Sequence, residues 1–482
     1  MELREFLNEL DKLGQLKVID QEVDWNMEAA AISCMNYRLN GPALLFNNIK
    51  GSKGRLVSSL FSAVPGRPYG RAALLFGMEP DVPWDKFSAE ISRRTGNLIK
   101  PTIVSTGPCK ENIRIGKDVN LFELPFPYLH YGDGGRYGTL QTFINKDLDS
   151  DWVNWGNYRM QIHTRNKVGG EFIPTQHLAS VFYQKYEPAN LPMPVCVAIG
   201  PDVEGLFVSA LPCPRGMSEV DVAGGLAQEP IELVKAETND LYVPARAEII
   251  LEGEMRPYER MDEGPMGEWH GFVHGPRIPE PVMRVTAITF RNNPIIPFLV
   301  EGARGADSAR GISCATFGVG ATNLFRAVGF PATMWIQPFQ CWGPLVGALP
   351  TGNPMASEMM NLVNVAAPFM YELIAVNSDE VEPFDLEGVL ESMWLKAHPS
   401  KIHVGDVDTG IAGTSAPFLS PEEKKRGLSA TVSFDCTWPP NWGPDQIPQK
   451  VAFDNSYPPQ IQEWVVKNWK SLGLPGEPRQ KR

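Results

Sequence analysis

The sequence predicts an α+β protein of three consecutive units: an α/β region, a β-rich region and a second α/β region. Three observations predict it. The chain has 482 residues, which at ~150 residues per domain implies about three domains. Helical periodicity marks the two ends, while short β-rich segments separated by turn signals fill the middle. The composition, 43% hydrophobic and 21% charged, is that of an ordinary globular chain and excludes wholesale disorder.

In chain order, Leu3, Phe6, Leu7, Leu10 and Leu13 recur at helical spacing, and Gly14 follows as a stop. A helix over 26–37 ends at Gly41-Pro42, before an apolar strand over 43–46. Strand and helix signals alternate up to Ser105-Thr106-Gly107-Pro108, so the first unit is set at 1–108. From 109 to 315 the predicted strands cover 139–145, 155–164, 194–200, 245–252 and 282–290. Turn signals at Gly132-Asp133-Gly134-Gly135, Gly169-Gly170 and Asn292-Asn293-Pro294 punctuate them, and helices are expected only over 177–186 and 218–226. Such a pattern implies an antiparallel barrel or sandwich. In 316–482, helices over 321–328, 355–371, 386–396 and 459–472 alternate with strands over 333–336 and 373–376. The last helix carries Ile461, Trp464, Val465 and Trp469, more apolar surface than a solvated helix holds, which predicts self-association through the final third.

The charge balance narrows the function. Lys+Arg number 44 against Asp+Glu 56, a net charge of −12. No basic run reaches five residues, the densest being Lys424-Lys425-Arg426. Nucleic acid and anionic membranes are therefore poor partners, and a small molecule is expected. No apolar run approaches the ~18 residues of a spanning helix. The N-terminus reads as a charged amphipathic helix rather than a signal peptide. Seven scattered cysteines without a C-x-x-C pair imply reduced thiols in a cytoplasmic protein.

The most distinctive string is Glu263-Gly264-Pro265-Met266-Gly267-Glu268-Trp269-His270-Gly271. Its two acids cannot share a helix face, but the Gly-Pro-x-Gly spacer forces a turn that can aim both at one point. Paired carboxylates suit proton delivery, because mutual repulsion keeps one protonated; a solvated surface turn explains the string equally well. Asn154-Trp155-Gly156-Asn157-Tyr158-Arg159 places an amide and a guanidinium on an extended segment. On a regular strand they would face opposite ways unless a bulge intervenes. His177 follows Gln176 at a helix start, and Glu219 begins another helix, where acids are favoured anyway. Asn154, His177 and Glu219 would together form an oxygen/nitrogen donor set suited to Mn²⁺ or Mg²⁺. Gly318-Val319-Gly320-Ala321 is not a full dinucleotide fingerprint, and neither a Walker A string nor a G-x-S-x-G elbow occurs.

Taken together, these strings resemble the UbiD-like family of reversible decarboxylases that use prenylated flavin mononucleotide. The resemblance runs from Ala43-Leu44-Leu45-Phe46-Asn47-Asn48 through Asn154–Arg159, Gln176-His177 and Glu219. It continues through Val243-Pro244-Ala245-Arg246-Ala247-Glu248-Ile249, Glu252-Gly253 and Glu263–Glu268 to Phe434-Asp435-Cys436-Thr437. Residues 157–161 look most like members acting on hydroxylated aromatic acids. The resemblance implies an N-terminal α/β unit (1–108), a central split β-barrel like those of flavin reductases (109–315) and a C-terminal α/β oligomerisation domain (316–482). It implies Arg159, Glu263 and Glu268 as the catalytic network, with Glu268 the proton donor. Asn154, His177 and Glu219 match the ligands of a divalent ion, usually manganese, that ties the cofactor phosphate to the protein. Trp155 and Ser209 fall where backbone groups contact K⁺; Asn154, Trp155, Arg159, Gln176, His177, Ser209 and Glu219 form the cofactor-binding set.

The expected reaction is loss of CO₂ from an aromatic, hydroxylated or heteroaromatic, or α,β-unsaturated carboxylic acid. A flavin prenyltransferase would supply the cofactor, and a homo-oligomer, dimer or hexamer, is expected. A flavin-dependent oxidoreductase on a split barrel, or a subunit of a multi-subunit aryl carboxylase, are the alternatives. Three departures from the family stand out. Gly-Pro-Met-Gly replaces Gly-Pro-Phe-Gly; Tyr371 stands where many members have Lys, before Val376-Asn377-Ser378-Asp379. Gly302-Ala303-Arg304-Gly305-Ala306-Asp307 and Phe339-Gln340-Cys341-Trp342 match no part of the pattern.

Overall fold

A computed structural model describes residues 1–61, 67–269, 271–275, 277–302, 309–338, 342–366, 372–405, 410–411, 419–426 and 428–476. The first helix, Leu3–Lys12, buries Leu3, Phe6, Leu7 and Leu10, the stripe its spacing predicts. It ends as Gly14 takes φ +66°, a conformation that costs glycine nothing. Helix Glu28–Arg38 follows, then strands Ala43–Phe46 and Arg55–Ser58, which join Leu16–Ile19 in a small sheet. The fourth strand of that sheet arrives from far along the chain: Ile295–Pro297 pairs in parallel with Arg55–Ser58. The sequence gives no hint of this, because a three-residue strand has no period of its own.

The middle of the chain forms a nine-stranded antiparallel sheet that curls into a half-barrel. Its spine is a hairpin of two long strands, Ile249–Glu263 and Ile278–Phe290. Only the first part of the former was expected as strand. Beyond Gly253 the residues turn polar, and ion pairs rather than apolar burial hold the extension: Arg284 to Glu259 at 2.6 Å, Lys167 to Glu259 at 3.0 Å and Arg260 to Glu187 at 2.7 Å. Register shifts after Glu252 and after Met255 bend the hairpin, as bulges do. Its far end delivers Glu263, opposite Ile278, to the rim of the sheet.

The single strand expected over 155–164 is two. Val153–Gly156 and Met160–Thr164 are separated where Asn157 leaves the ladder and donates its N–H to the Ser209 carbonyl at 3.0 Å. The helix expected over 177–186 is an α-turn, His177–Val181, followed by a π-turn, Phe182–Tyr186. Helix Val203–Ser209, fully buried, was not foreseen: seven residues that are mostly apolar show no amphipathic stripe, and its one charge, Glu204, is paired with the N-terminal ammonium at 3.0 Å.

In the last third, strands Trp342–Leu349, Glu372–Asn377 and Val432–Asp435 run parallel in a five-stranded sheet. The Gly318-Val319-Gly320-Ala321 string lies inside helix Cys314–Ala327 and opens no phosphate loop. A Cβ on Gly318 would sit 2.8 Å from the Trp84 ring, so this glycine admits a neighbouring helix. Trp84 also donates its indole N–H to the Met334 carbonyl at 3.1 Å, joining the first and last thirds in one core. Helix Ala356–Ala366 covers the start of the expected 355–371, and Tyr371 lies outside the described residues. The final helix, Pro459–Asn468, is shorter than expected and buries none of its residues. No helix among the described residues is long and apolar enough to cross a membrane.

Candidate active site

The break between Val153–Gly156 and Met160–Thr164 is what aims Arg159. With residues 157–159 out of the ladder, strict alternation lapses, and Arg159 points at the rim where Glu263 ends its strand. Glu263 grips the guanidinium as a fork, Oε1 accepting from Nε at 3.0 Å and Oε2 from Nη2 at 2.5 Å. Glu268 Oε1 accepts from Nη1 at 2.5 Å. The two acids of the Glu-Gly-Pro-Met-Gly-Glu string thus converge on one cation. Glu263 is fully buried and Glu268 is 9% exposed, which disposes of the solvated-turn alternative.

The turn between them is held by backbone contacts that only glycine permits. Gly264 has φ +84°, and a Cβ on Gly134 would lie 2.1 Å from the Gly264 carbonyl oxygen. Gly134 instead donates its N–H to the Pro265 carbonyl at 2.6 Å, and Gly267 donates to Asp133 Oδ1 at 2.9 Å. Gln161 Oε1 accepts from the Gly264 N–H at 2.9 Å, and Tyr137 donates to Glu263 Oε1 at 3.1 Å. The Gly132-Asp133-Gly134-Gly135 string, legible only as a turn, is the clamp that sets the spacing of the two acids.

Burial alone would push the Arg159 guanidinium toward its neutral form. The carboxylates of Glu171, Glu263 and Glu268 more than offset this and raise its proton affinity. Glu171 and Glu280 escaped sequence reasoning. Glu171 Oε2 lies 3.0 Å from Arg159 Nη1, and Glu280 sits on the adjacent strand Ile278–Phe290. The one available signal was Gly169-Gly170: a Cβ on Gly170 would fall 2.2 Å from the Arg159 carbonyl oxygen, so glycine lets the next residue reach the cluster. Burial, with Glu171 and Glu263 nearby, pushes Glu280 up to about 7. His270 lies outside the described residues.

A second group forms on the other side of the same segment. Asn154, in strand register with Asn145, donates its amide N–H to Asn145 Oδ1 at 2.9 Å. Trp155 N–H donates to Glu219 Oε2 at 2.9 Å, and Glu219 Oε1 lies 3.6 Å from His177 Nδ1. Tyr158 ties this group together: its hydroxyl accepts from the Leu178 N–H at 3.2 Å and from the Asn154 side chain. Trp152 packs edge-on against the His177 ring, with centroids 5.1 Å apart. Ser209 presents its carbonyl to Asn157, and Gln176, just before the His177 helix, turns its Oε1 back to the Ile173 N–H at 3.3 Å rather than to a helix N–H.

These residues fit a small hard cation better than a hydrogen-bonded pair. At 3.6 Å, His177 Nδ1 and Glu219 Oε1 are too far apart for a good hydrogen bond, yet both turn to one point. An amide oxygen, an imidazole nitrogen and a carboxylate make a donor set for Mn²⁺ or Mg²⁺ rather than for a thiolate-seeking ion.

The chain is similar over nearly its whole length to proteins of one family. Residues 102–304 match the model of the 3-octaprenyl-4-hydroxybenzoate carboxy-lyase Rift-related domain, and residues 7–91 match that of its N-terminal domain. The chain is 30% identical to the pyrrole-2-carboxylic acid decarboxylase of Pseudomonas aeruginosa, over 98% of each chain. It is 29% identical to the phenolic acid decarboxylase of Sedimentibacter hydroxybenzoicus, over 97% of each. The structure superposes on vanillic acid decarboxylase of Sedimentibacter hydroxybenzoicus with a TM-score of 0.85 and 26% identity, covering 98% of both chains. It superposes on the UbiD-class enzyme HmfF of Pelotomaculum thermopropionicum in complex with FMN with a TM-score of 0.80 and 26% identity, covering 94% of this chain and 97% of that one.

The Glu280 carboxyl gives a pH-dependent stability effect whose sign is fixed. Its folded-state value of about 7 lies above the ordinary 4.5, so the folded chain holds a proton that the unfolded chain releases. That contribution is full below about pH 4.5 and is lost as pH rises through about 7. Glu280→Gln should therefore raise the melting midpoint at pH 8 and leave it nearly unchanged at pH 4.5. An equal shift at both pH values would contradict the assignment.

Proposed function

Since this chain belongs to the UbiD family of carboxy-lyases, we propose that it catalyses the reversible, non-oxidative decarboxylation of an aromatic (hydroxylated or heteroaromatic) or α,β-unsaturated carboxylic acid with prenylated FMN, Glu268 being the proton donor. The observation that carries this reading is the buried Glu263–Arg159–Glu268 cluster. A solved relative, an evolved dimeric form of HmfF, holds prenylated FMN, and it is 25% identical over 97% of this chain.

Asn154, His177 and Glu219 would hold Mn²⁺ or Mg²⁺ and through it the cofactor phosphate, with Gln176 beside them in the cofactor-binding set. The backbones of Trp155 and Ser209 would take K⁺. When bound, the prenylated flavin supplies the sink for the electron pair released as the carboxylate leaves. The chain does the rest. Arg159, fixed by the Glu263 fork, offers Nη1 to Glu268 and supplies the positive charge beside which an anionic substrate carboxylate would settle. Glu268 carries a proton at its carboxyl and places it on the carbon from which CO₂ has gone, while the low exposure of the cluster keeps bulk water from competing.

Two further parts of the reading have structural support. The exposed Trp394, Val404, Ile461 and Trp464 gather much apolar surface in the last third, which supports a homo-oligomer, dimer or hexamer, through this region. The described cysteines, 34, 109, 196, 213, 314 and 436, are all free thiols, as a reducing cytoplasm would keep them. A flavin prenyltransferase would have to provide the cofactor.

Glu268→Gln keeps the side chain's shape but has no proton to give, so turnover should fall by at least ~10²-fold. Exchange of solvent deuterium into the product should fall with it. Glu263→Gln should weaken substrate binding alongside turnover, because it loosens Arg159. Hydroxybenzoates, heteroaryl acids and cinnamates form the assay panel; normal activity of Glu268→Gln on any acid accepted by the unaltered protein would sink the donor role. His177→Ala should release most of the bound flavin, read by absorbance of the purified protein; full occupancy after exhaustive chelation would remove the metal anchor from the scheme. Light scattering at micromolar concentration should give a mass above that of one chain, and a monomer would refute the assembly.

A further inference from the structure

Arg159 Nη1 serves two acids. Glu268 Oε1 stands 2.5 Å from it and Glu171 Oε2 3.0 Å, while Nε and Nη2 are engaged by Glu263. Glu171 and Glu268 are equally shielded, each side chain 11% exposed. Glu171 joins Glu263 and Glu268 in holding Arg159 charged. Two carboxyls on one nitrogen repel when both are ionised, whatever else either touches, and so titrate as a coupled pair. Such a pair retains one proton at pH values where a lone carboxylate beside a guanidinium would have lost it.

On the reading that Glu268 is the proton donor, we propose that Glu171 is a positioning residue which shares Arg159 Nη1 with Glu268 and thereby keeps the transferable proton on Glu268. When the C–CO₂ bond breaks and the proton passes from Glu268 to carbon, a C–H bond forms and Glu268 becomes a carboxylate. That carboxylate then claims Nη1, and Glu171, released from it, accepts a proton in its place. The proton that Glu171 accepts comes from solvent and passes to Glu268 before the next cycle, so over one turnover the pair gives one proton to carbon and gains one from water. Glu280, half-buried and pushed up to about 7, feels the Glu171 charge from the neighbouring strand.

The charged and titratable groups facing the pair among the described residues come from several elements. They are Arg159 from the strand break, Glu263 with Tyr137 behind it, His163 on Met160–Thr164 facing Glu263, and Glu280 on Ile278–Phe290 with Tyr183 and Arg260 beyond it. Burial lowers the proton affinity of His163, so it contributes no cation near neutral pH.

The test is Glu171→Gln, with Glu171→Asp as the conservative control, read two ways. The first needs neither flavin nor substrate: the infrared C=O band of protonated carboxyl groups is followed against pH in flavin-free protein, in a Glu280→Gln background and as the difference between proteins with and without the Glu171 substitution, so that Asp202 and Glu204, whose proton affinity burial also raises, cancel. Glu171→Gln should move the loss of this band about one pH unit or more toward acid, since a like charge has been taken from the pair. The second is the pH profile of turnover. Its falling limb should move toward acid by a similar amount, lowering the rate on that limb about tenfold, and Glu171→Asp should restore it. A folded Glu171→Gln protein with an unshifted band overturns the proposal, as does an unshifted profile with normal turnover, and either leaves the decarboxylase reading intact. If the unaltered protein turns over no acid on the panel, the decarboxylase reading fails, and the infrared band still decides whether the two acids share a proton.

Discussion

One guanidinium organises this protein's working end. Arg159 is nearly buried, and a buried cation is tolerated only when its donors are matched by acceptors. Here the matching comes from three acids on three separate stretches of chain: Glu171 after a double glycine, Glu263 at the end of a fifteen-residue strand, and Glu268 beyond the following turn. Deleting one partner of a buried pair costs ~3–5 kcal/mol. The cation therefore draws those stretches to one point, and much of the local fold is arranged to let them arrive.

That arrangement is achieved by backbone rather than by side chains. Gly134 and Gly170 each let two chain segments approach to where any Cβ would collide with a carbonyl. Asp133 and Gln161 then take the N–H groups of Gly267 and Gly264, so the turn between the two acids is pinned at both ends. A proton donor has to sit within a few tenths of an ångström of its productive place. A turn fixed by hydrogen bonds to a rigid sheet provides this more reliably than a free loop would.

The strand break at 157–159 has a second consequence. It puts the Asn154–Glu219 group and the acid cluster on one short piece of chain, five positions apart, facing different ways. Asn154 and Trp155 belong to the buried strand and meet Glu219 and Asn145, while Arg159 meets the acids. Tyr158, between them, takes the Leu178 N–H, so the helix that bears His177 is registered against the same segment. A displacement at either group is felt by the other through two or three residues of backbone.

The sequence by itself determined the local terms. The stripe of Leu3, Phe6, Leu7 and Leu10, the stop at Gly14, the strand-rich middle between two helical ends and the turn inside Glu263–Glu268 all follow from period, propensity and glycine, which act over a few residues. The residue types of the site were legible for the same reason, as strings with unusual spacing. Tertiary structure alone decided the rest. That Glu263 and Glu268 are buried on Arg159 rather than solvated, that Glu171 and Glu280 join them, that Ile295–Pro297 completes a sheet begun at Leu16, and that the 155–164 strand is cut in two depend on contacts between residues far apart in the chain. Such contacts leave no period in the sequence, because each is made once, between partners whose separation is set by the fold and not by the spacing of neighbours.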